Sequence, residues 1–143
     1  MNNPAHDRAG YVLFAHGSSI ESANDSVREA AAELARRGGL EIVEPAFLES
    51  GQPDLRGAVG KLVARGVERV AVVPYFLTLG LHLRRDLPKL VEHIRASYPG
   101  LWIEVTAPLD GHPALIEALL GRVHEAHAGR LDAEREASAS EVD

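Results

Sequence analysis

The chain has 143 residues, 45% hydrophobic and 25% charged, the profile of one soluble globular domain rather than two. It contains no cysteine, which excludes disulfides, thiolate metal sites and cysteine nucleophiles and leaves histidine nitrogen and carboxylate oxygen as metal donors. A formal net charge of −6 argues against nucleic acid as a partner, and no apolar stretch approaches the roughly 20 residues of a membrane helix or forms a signal peptide in residues 1–10, so a cytoplasmic protein with no membrane partner is expected.

Residues 1–10 read as an N-terminal extension, and an α/β domain is expected over residues 11–129. Tyr11 to Ala15 (YVLFA) is a short apolar run, as for a strand covered on both faces. His16-Gly17-Ser18-Ser19 follows as a turn in which Ser18 or Ser19 is a natural helix cap. The next helix carries Ala23, Val27, Ala30, Ala31 and Leu34 on one stripe, and Gly38-Gly39 ends it. Ile42 to Phe47 (IVEPAF) is a second strand, placed at a sheet edge because it contains Pro45.

Pro53-Asp54 opens a second helix with Leu55, Ala58, Val59, Leu62 and Val63 in near-ideal register, stopped by Gly66. Val67 to Phe76 holds the most strand-like run in the chain. Leu87, Leu90, Val91 and Ile94 mark a third helix, ended by Pro99-Gly100. Leu101 to Thr106 is the fourth strand, and Pro113 to Ala128 the fourth helix. Residues 130–143 hold two Arg against five Asp or Glu, so they supply −3 of the net charge; this tail is expected to be disordered. Strands alternating with helices predict a four-stranded parallel sheet with helices on both faces. With the second strand at the edge the order is 2-1-3-4, and a switch point falls between the carboxyl ends of the first and third strands, where such sheets bind ligands.

His16 directly follows the first strand, and His82 lies a few residues beyond the third. Both face the expected crevice, and neutral imidazole is both a metal ligand and a proton acceptor near pH 7. Glu49 follows the second strand at the same end of the sheet. Alone it is an ordinary loop carboxylate; beside two histidines it completes a nitrogen–nitrogen–oxygen set suited to cobalt, nickel, iron or zinc. Asp86, four residues after His82, has two readings: a cap for the third helix, or an acceptor that orients His82. Arg84 and Arg85 either pair with ligand carboxylates at the mouth of the crevice or are simply solvated. His112 reads as a helix-start residue, and His124 and His127 as surface.

No P-loop, dinucleotide fingerprint or G-x-S-x-G elbow is present. Ala15-His16-Gly17 is similar to the His-Gly of histidine phosphatases, but Ala15 stands where their arginine precedes the histidine.

Taken as an ordered series, Ala15-His16-Gly17-Ser18, Asn24, Phe47-Leu48-Glu49, Val73-Pro74-Tyr75-Phe76-Leu77, Gly80-Leu81-His82, Asp86-Leu87-Pro88 and Gly111-His112-Pro113 resemble the class II tetrapyrrole chelatases, specifically the short sirohydrochlorin chelatases of the CbiX/SirB type. The resemblance runs from Tyr11 to Val123. It implies insertion of a divalent metal (Co2+ or Fe2+ first, Ni2+ as a further candidate) into sirohydrochlorin, with the metal as substrate, no ATP and no organic cofactor, in a pathway toward cobalamin or sirohaem. It further implies that His16 and His82 contact the metal and that Glu49 is a ligand or proton acceptor; Ser18, with Arg84 and Arg85, is a candidate substrate-binding residue. Longer members carry two α/β lobes facing a cleft, so a chain with length for one lobe is expected to act as a homodimer. A non-catalytic metal- or tetrapyrrole-delivery module, and a histidine-phosphatase-like hydrolase, are the alternatives.

Overall fold

A computed structural model describes residues 8–140, and the chain divides after Pro108 into two units. The first contains β1 (Ala9–Ala15), α1 (Glu21–Gly38), β2 (Val43–Phe47), α2 (Leu55–Ala64), β3 (Arg69–Pro74), α3 (Leu81–Ser97) and β4 (Trp102–Val105). All strand pairs are parallel and the order is β2-β1-β3-β4, as the edge placement of Pro45 predicts. Pro45 pairs with Leu13 on the outermost strand, where a residue without an N–H does not interrupt a second ladder.

Alternation along β1 divides the core between two faces. Val12 and Phe14 join α2 residues Leu55, Val59 and Leu62 and α3 residues Leu87, Val91 and Ile94 on one face. Leu13 and Ala15 join Phe47, Val27 and Ala31 on the other, under α1. Each of the larger fully buried side chains contributes roughly 1.5–3 kcal/mol of transfer free energy. The α1 stripe is rotated from the expected one: Asn24, Val27 and Ala31 are buried, while Ala23 and Leu34 face solvent.

Helix starts also differ from expectation in two places. Ser18 and Ser19 are not the α1 cap; Ile20 holds that position and no side chain bonds the helix end. Ser18 Oγ instead accepts from the Ile20 N–H at 3.0 Å, a local turn that competes with capping. Asp86 does not cap α3, because the helix begins five residues earlier at Leu81, with Gly80 at the cap position and Pro88 inside the helix. Asp54 does cap α2, accepting from the Gly57 N–H at 2.8 Å. Gly39 ends α1 in the left-handed region at φ 61°, as the Gly38-Gly39 pair suggests.

The second unit is α4 (Pro113–Ser140). His112 Nδ1 accepts from the Ala114 N–H at 3.0 Å, which makes it the helix-start residue expected. Ile116, Leu119, Leu120 and Val123 form an exposed apolar stripe at helical spacing. The helix extends through residues 130–140, where the sequence suggests disorder; the Ala, Glu and Arg of that segment are strong helix formers. Residues 1–7 of the expected extension and residues 141–143 of the tail lie outside the described residues, and residues 9 and 10 already belong to β1. No helix among the described residues is long and apolar enough to cross a membrane.

Candidate metal-insertion site

The carboxyl ends of β2, β1 and β3 lie side by side, and the loops leaving them interlock. The Leu48 N–H donates to Ala15 O at 2.9 Å and the Glu49 N–H to His16 O at 3.0 Å, extending the β1–β2 ladder past both strands. The Tyr75 N–H donates to Phe14 O at 2.7 Å on the other side. His16 and Glu49 therefore project from adjacent, hydrogen-bonded backbone. Their side chains meet at 3.9 Å between Nε2 and Oε1, and both are largely exposed, at 63% and 64%.

Gly17 makes this approach possible. Its φ is +89°, and a Cβ there would stand 1.8 Å from Glu49 O, so the position admits neither the backbone conformation nor the volume of another residue. Phe76 leaves the end of β3 and sets its ring edge-on to His16, with centroids 6.4 Å apart and planes at 87°. Phe76 packs in turn on buried Phe14 at 5.9 Å.

His16, Glu49, Phe76, His82 and Asp86 line one hollow of ≈ 580 Å³ at this end of the sheet, with Leu48 and Leu81 as apolar parts of its wall. A hollow of ≈ 690 Å³ at the opposite end, by Arg8, Tyr11, Glu41 and Arg65, has no histidine in its wall. His82 occupies the first turn of α3. Its Nδ1 lies 3.3 Å from Arg85 Nη2, and Arg85 Nε lies 3.5 Å from Asp86 Oδ1. Arg85, not a direct bond, thus connects Asp86 to His82. His16 and Glu49 are brought together and His82 shares their hollow, but no three such side chains among the described residues are gathered into a ready-made metal cluster.

One contributor has no role assigned to it by the sequence. Asn24 is 1% exposed; its Oδ1 accepts from the Ser18 N–H, and its Nδ2 donates to Ser18 O and Ser50 O, each at 2.9 Å. Its sequence signal is its place in the motif series, since the expected α1 stripe did not include it. Arg28, one turn further along, donates to Gln52 O at 3.3 Å and lies 5.2 Å over the Phe47 ring. Hydrogen bonds that Arg28 donates to the carboxylates of Glu21 and then Asp25 hold its pKa above the ordinary value.

The CbiX family model matches residues 10–126, from the second residue of β1 to the middle of α4. The chain belongs to the CbiX family. The chloroplastic sirohydrochlorin ferrochelatase of Arabidopsis thaliana is 31% identical over 123 residues, which are 86% of this chain and 55% of the plant protein; the chain thus spans about half the length of that relative. A sirohydrochlorin cobaltochelatase of Sulfurisphaera tokodaii is 34% identical over 116 residues, covering 81% of this chain and 92% of its own length. A crystal structure described as a cobalamin biosynthesis CbiX protein, from Marinobacter aquaeolei, superposes with a TM-score of 0.75 at 31% identity, covering 84% of this chain and 98% of that one. The family membership and the fold expected from the motif series are both borne out.

Proposed function

We infer that this CbiX-family protein is a sirohydrochlorin chelatase, a lyase-class enzyme that inserts a divalent metal into the tetrapyrrole without ATP or an organic cofactor. The observation that carries the reading is the imidazole–carboxylate pair of His16 and Glu49, 3.9 Å apart on a hollow that His82 shares.

Insertion of M2+ into the free-base ring forms four metal–nitrogen contacts and releases the protons of two pyrrole N–H groups. The protein must therefore deliver a metal and accept protons at one place. Imidazole nitrogen and carboxylate oxygen suit a borderline ion such as Co2+, Fe2+ or Ni2+. The same groups are competent general bases near neutral pH. A proton taken by His16 Nε2 is stabilised by the neighbouring Glu49 carboxylate, which disperses the charge that builds up as the ring loses its protons. His82 supplies a further nitrogen from α3. It shares the hollow without being gathered into a three-ligand cluster, which suits a cargo ion that has to leave its ligands for the ring. Leu48 and Leu81 give the macrocycle apolar contact, and Ser18, Arg84 and Arg85 are the proposed partners of its peripheral carboxylates.

One lobe covers one side of a flat ring, so the reading includes a homodimer in which a second copy supplies the opposite wall. It also includes a cytoplasmic location, checked by fractionation of cells expressing the tagged chain; the plant relative is chloroplastic.

The deciding experiment follows the absorbance of sirohydrochlorin with purified protein and Co2+, Fe2+ or Ni2+ in turn. Catalysed spectral conversion above the spontaneous rate is expected for at least one ion. Binding of metal and ring without faster conversion would make the protein a delivery module instead.

A further inference from the structure

Asn24 is the buried polar residue of the described core, yet it has no part in the insertion chemistry itself. We propose that Asn24 is a positioning residue for metal insertion: its amide fastens the loop after β1 to the loop after β2 and so sets the separation of His16 and Glu49. The proposal rests on the reading of those two residues as metal ligands and proton acceptors.

The bonds are placed to do this. Ser18, two residues past His16, gives its N–H to Asn24 Oδ1 and receives a bond from Asn24 Nδ2 on its carbonyl. Ser50, next to Glu49, receives the second Nδ2 bond. On the strand side the same two loops are joined by the Glu49 N–H to His16 O. His16 and Glu49 are therefore joined directly by a backbone bond, and the Asn24 amide ties their loops together just beyond them. Ser50 adopts φ 53°, a conformation uncommon outside glycine, Asn and Asp, with its carbonyl bonded to Asn24. Arg28 grips the same loop one turn along, through Gln52 O.

Only a primary amide at this reach serves all three partners. Asn offers two donors and an acceptor, and the site uses each of them. Aspartate has the same shape but would set a carboxylate against two carbonyl oxygens. Alanine would leave one donor and two acceptors without partners in a part-buried setting, where unpaired groups are costly. Glutamine would be one methylene too long for a close-packed face.

The test uses the full chain with Asn24→Ala and Asn24→Asp, measured well below their unfolding midpoints. Three quantities are read: sirohydrochlorin conversion with Co2+, Co2+ affinity by direct titration, and hydrogen exchange of residues 15–20 and 47–52. The expected result is a fall in kcat of about ten- to a hundred-fold, the scale of a misplacement near 1 Å, with the sirohydrochlorin KM little changed. Weaker Co2+ binding and faster exchange confined to the two loops should accompany it. The loss of Co2+ affinity should vanish in a Glu49→Gln background, since the effect acts through Glu49.

Wild-type turnover per folded molecule in Asn24→Asp, or equal affinity losses with and without Glu49, would overturn the proposal. If Asn24→Ala does not fold, the near-isosteric Asn24→Asp decides. If the wild-type protein inserts no metal, the functional reading falls, while loop exchange and Co2+ titration still decide whether Asn24 positions the two side chains.

Discussion

A Cβ built on Gly17 would lie 1.8 Å from the backbone oxygen of Glu49. The relationship ties two loops separated by all of α1, and it makes position 17 a direct determinant of where a residue from another strand end can sit. Gly17→Ala is expected to cost more than about 1 kcal/mol, because the new residue must adopt φ +89° and also displace backbone. Urea denaturation measures the stability loss. Metal insertion at low temperature should fall further than the folded fraction does, since the displaced group is Glu49 itself.

His16→Ala, His82→Ala and Glu49→Gln should each abolish catalysed insertion. All three residues are exposed, and none belongs to either hydrophobic cluster. Their thermal midpoints should match wild type, as surface substitutions usually stay within about 0.5 kcal/mol. Near wild-type turnover in any one of them would remove that residue from the proposed set.

Asp86→Asn should weaken Co2+ binding by roughly ten-fold, the lower end of the range for residues that support a ligand from behind. Since Arg85 stands between Asp86 and His82, the effect should be absent in an Arg85→Ala background. A full effect there would mean that Asp86 touches the metal or the ring directly. Stability should hardly change, because exposed ion pairs are worth about 0–1 kcal/mol.

Removing residues 130–143 should leave the urea midpoint of the sheet unit unchanged, as every residue from 130 to 140 is exposed. Sedimentation is expected to report a homodimer at micromolar protein with or without the tail. Full activity in a monomer would sink the two-walled site.

The sheet was legible in the sequence because its signals are local and redundant. Pro45 alone fixes the edge, and the order 2-1-3-4 then follows from short right-handed crossovers. His16, Glu49 and His82 were legible as candidates because each follows a strand at the end where parallel sheets bind ligands. Their unequal spacing was not: the pairing of His16 with Glu49 depends on Gly17 and on backbone bonds between loops far apart in sequence. Asn24 was visible only as part of a motif, since its three partners come together after folding. The capping roles given to Ser18 and Asp86 failed for a shared reason. Both residue types favour helix starts on average, but the α1 start lies beyond Ser18 and the α3 start precedes Asp86.

The edge occupied by β2 has a consequence for how the protein behaves when concentrated. Leu48 directs its N–H inward, to β1, while Phe47 donates outward, to Pro53 O at 2.9 Å. By alternation, Val43, Pro45 and Phe47 are the strand's three outward positions. One of these has no hydrogen, and another has already spent its hydrogen on the chain's own loop. A foreign strand arriving at this edge meets a ladder that cannot be continued, which is how natural sheets avoid edge-to-edge aggregation. The turn that carries Glu49 to its place beside His16 therefore also closes the sheet against growth.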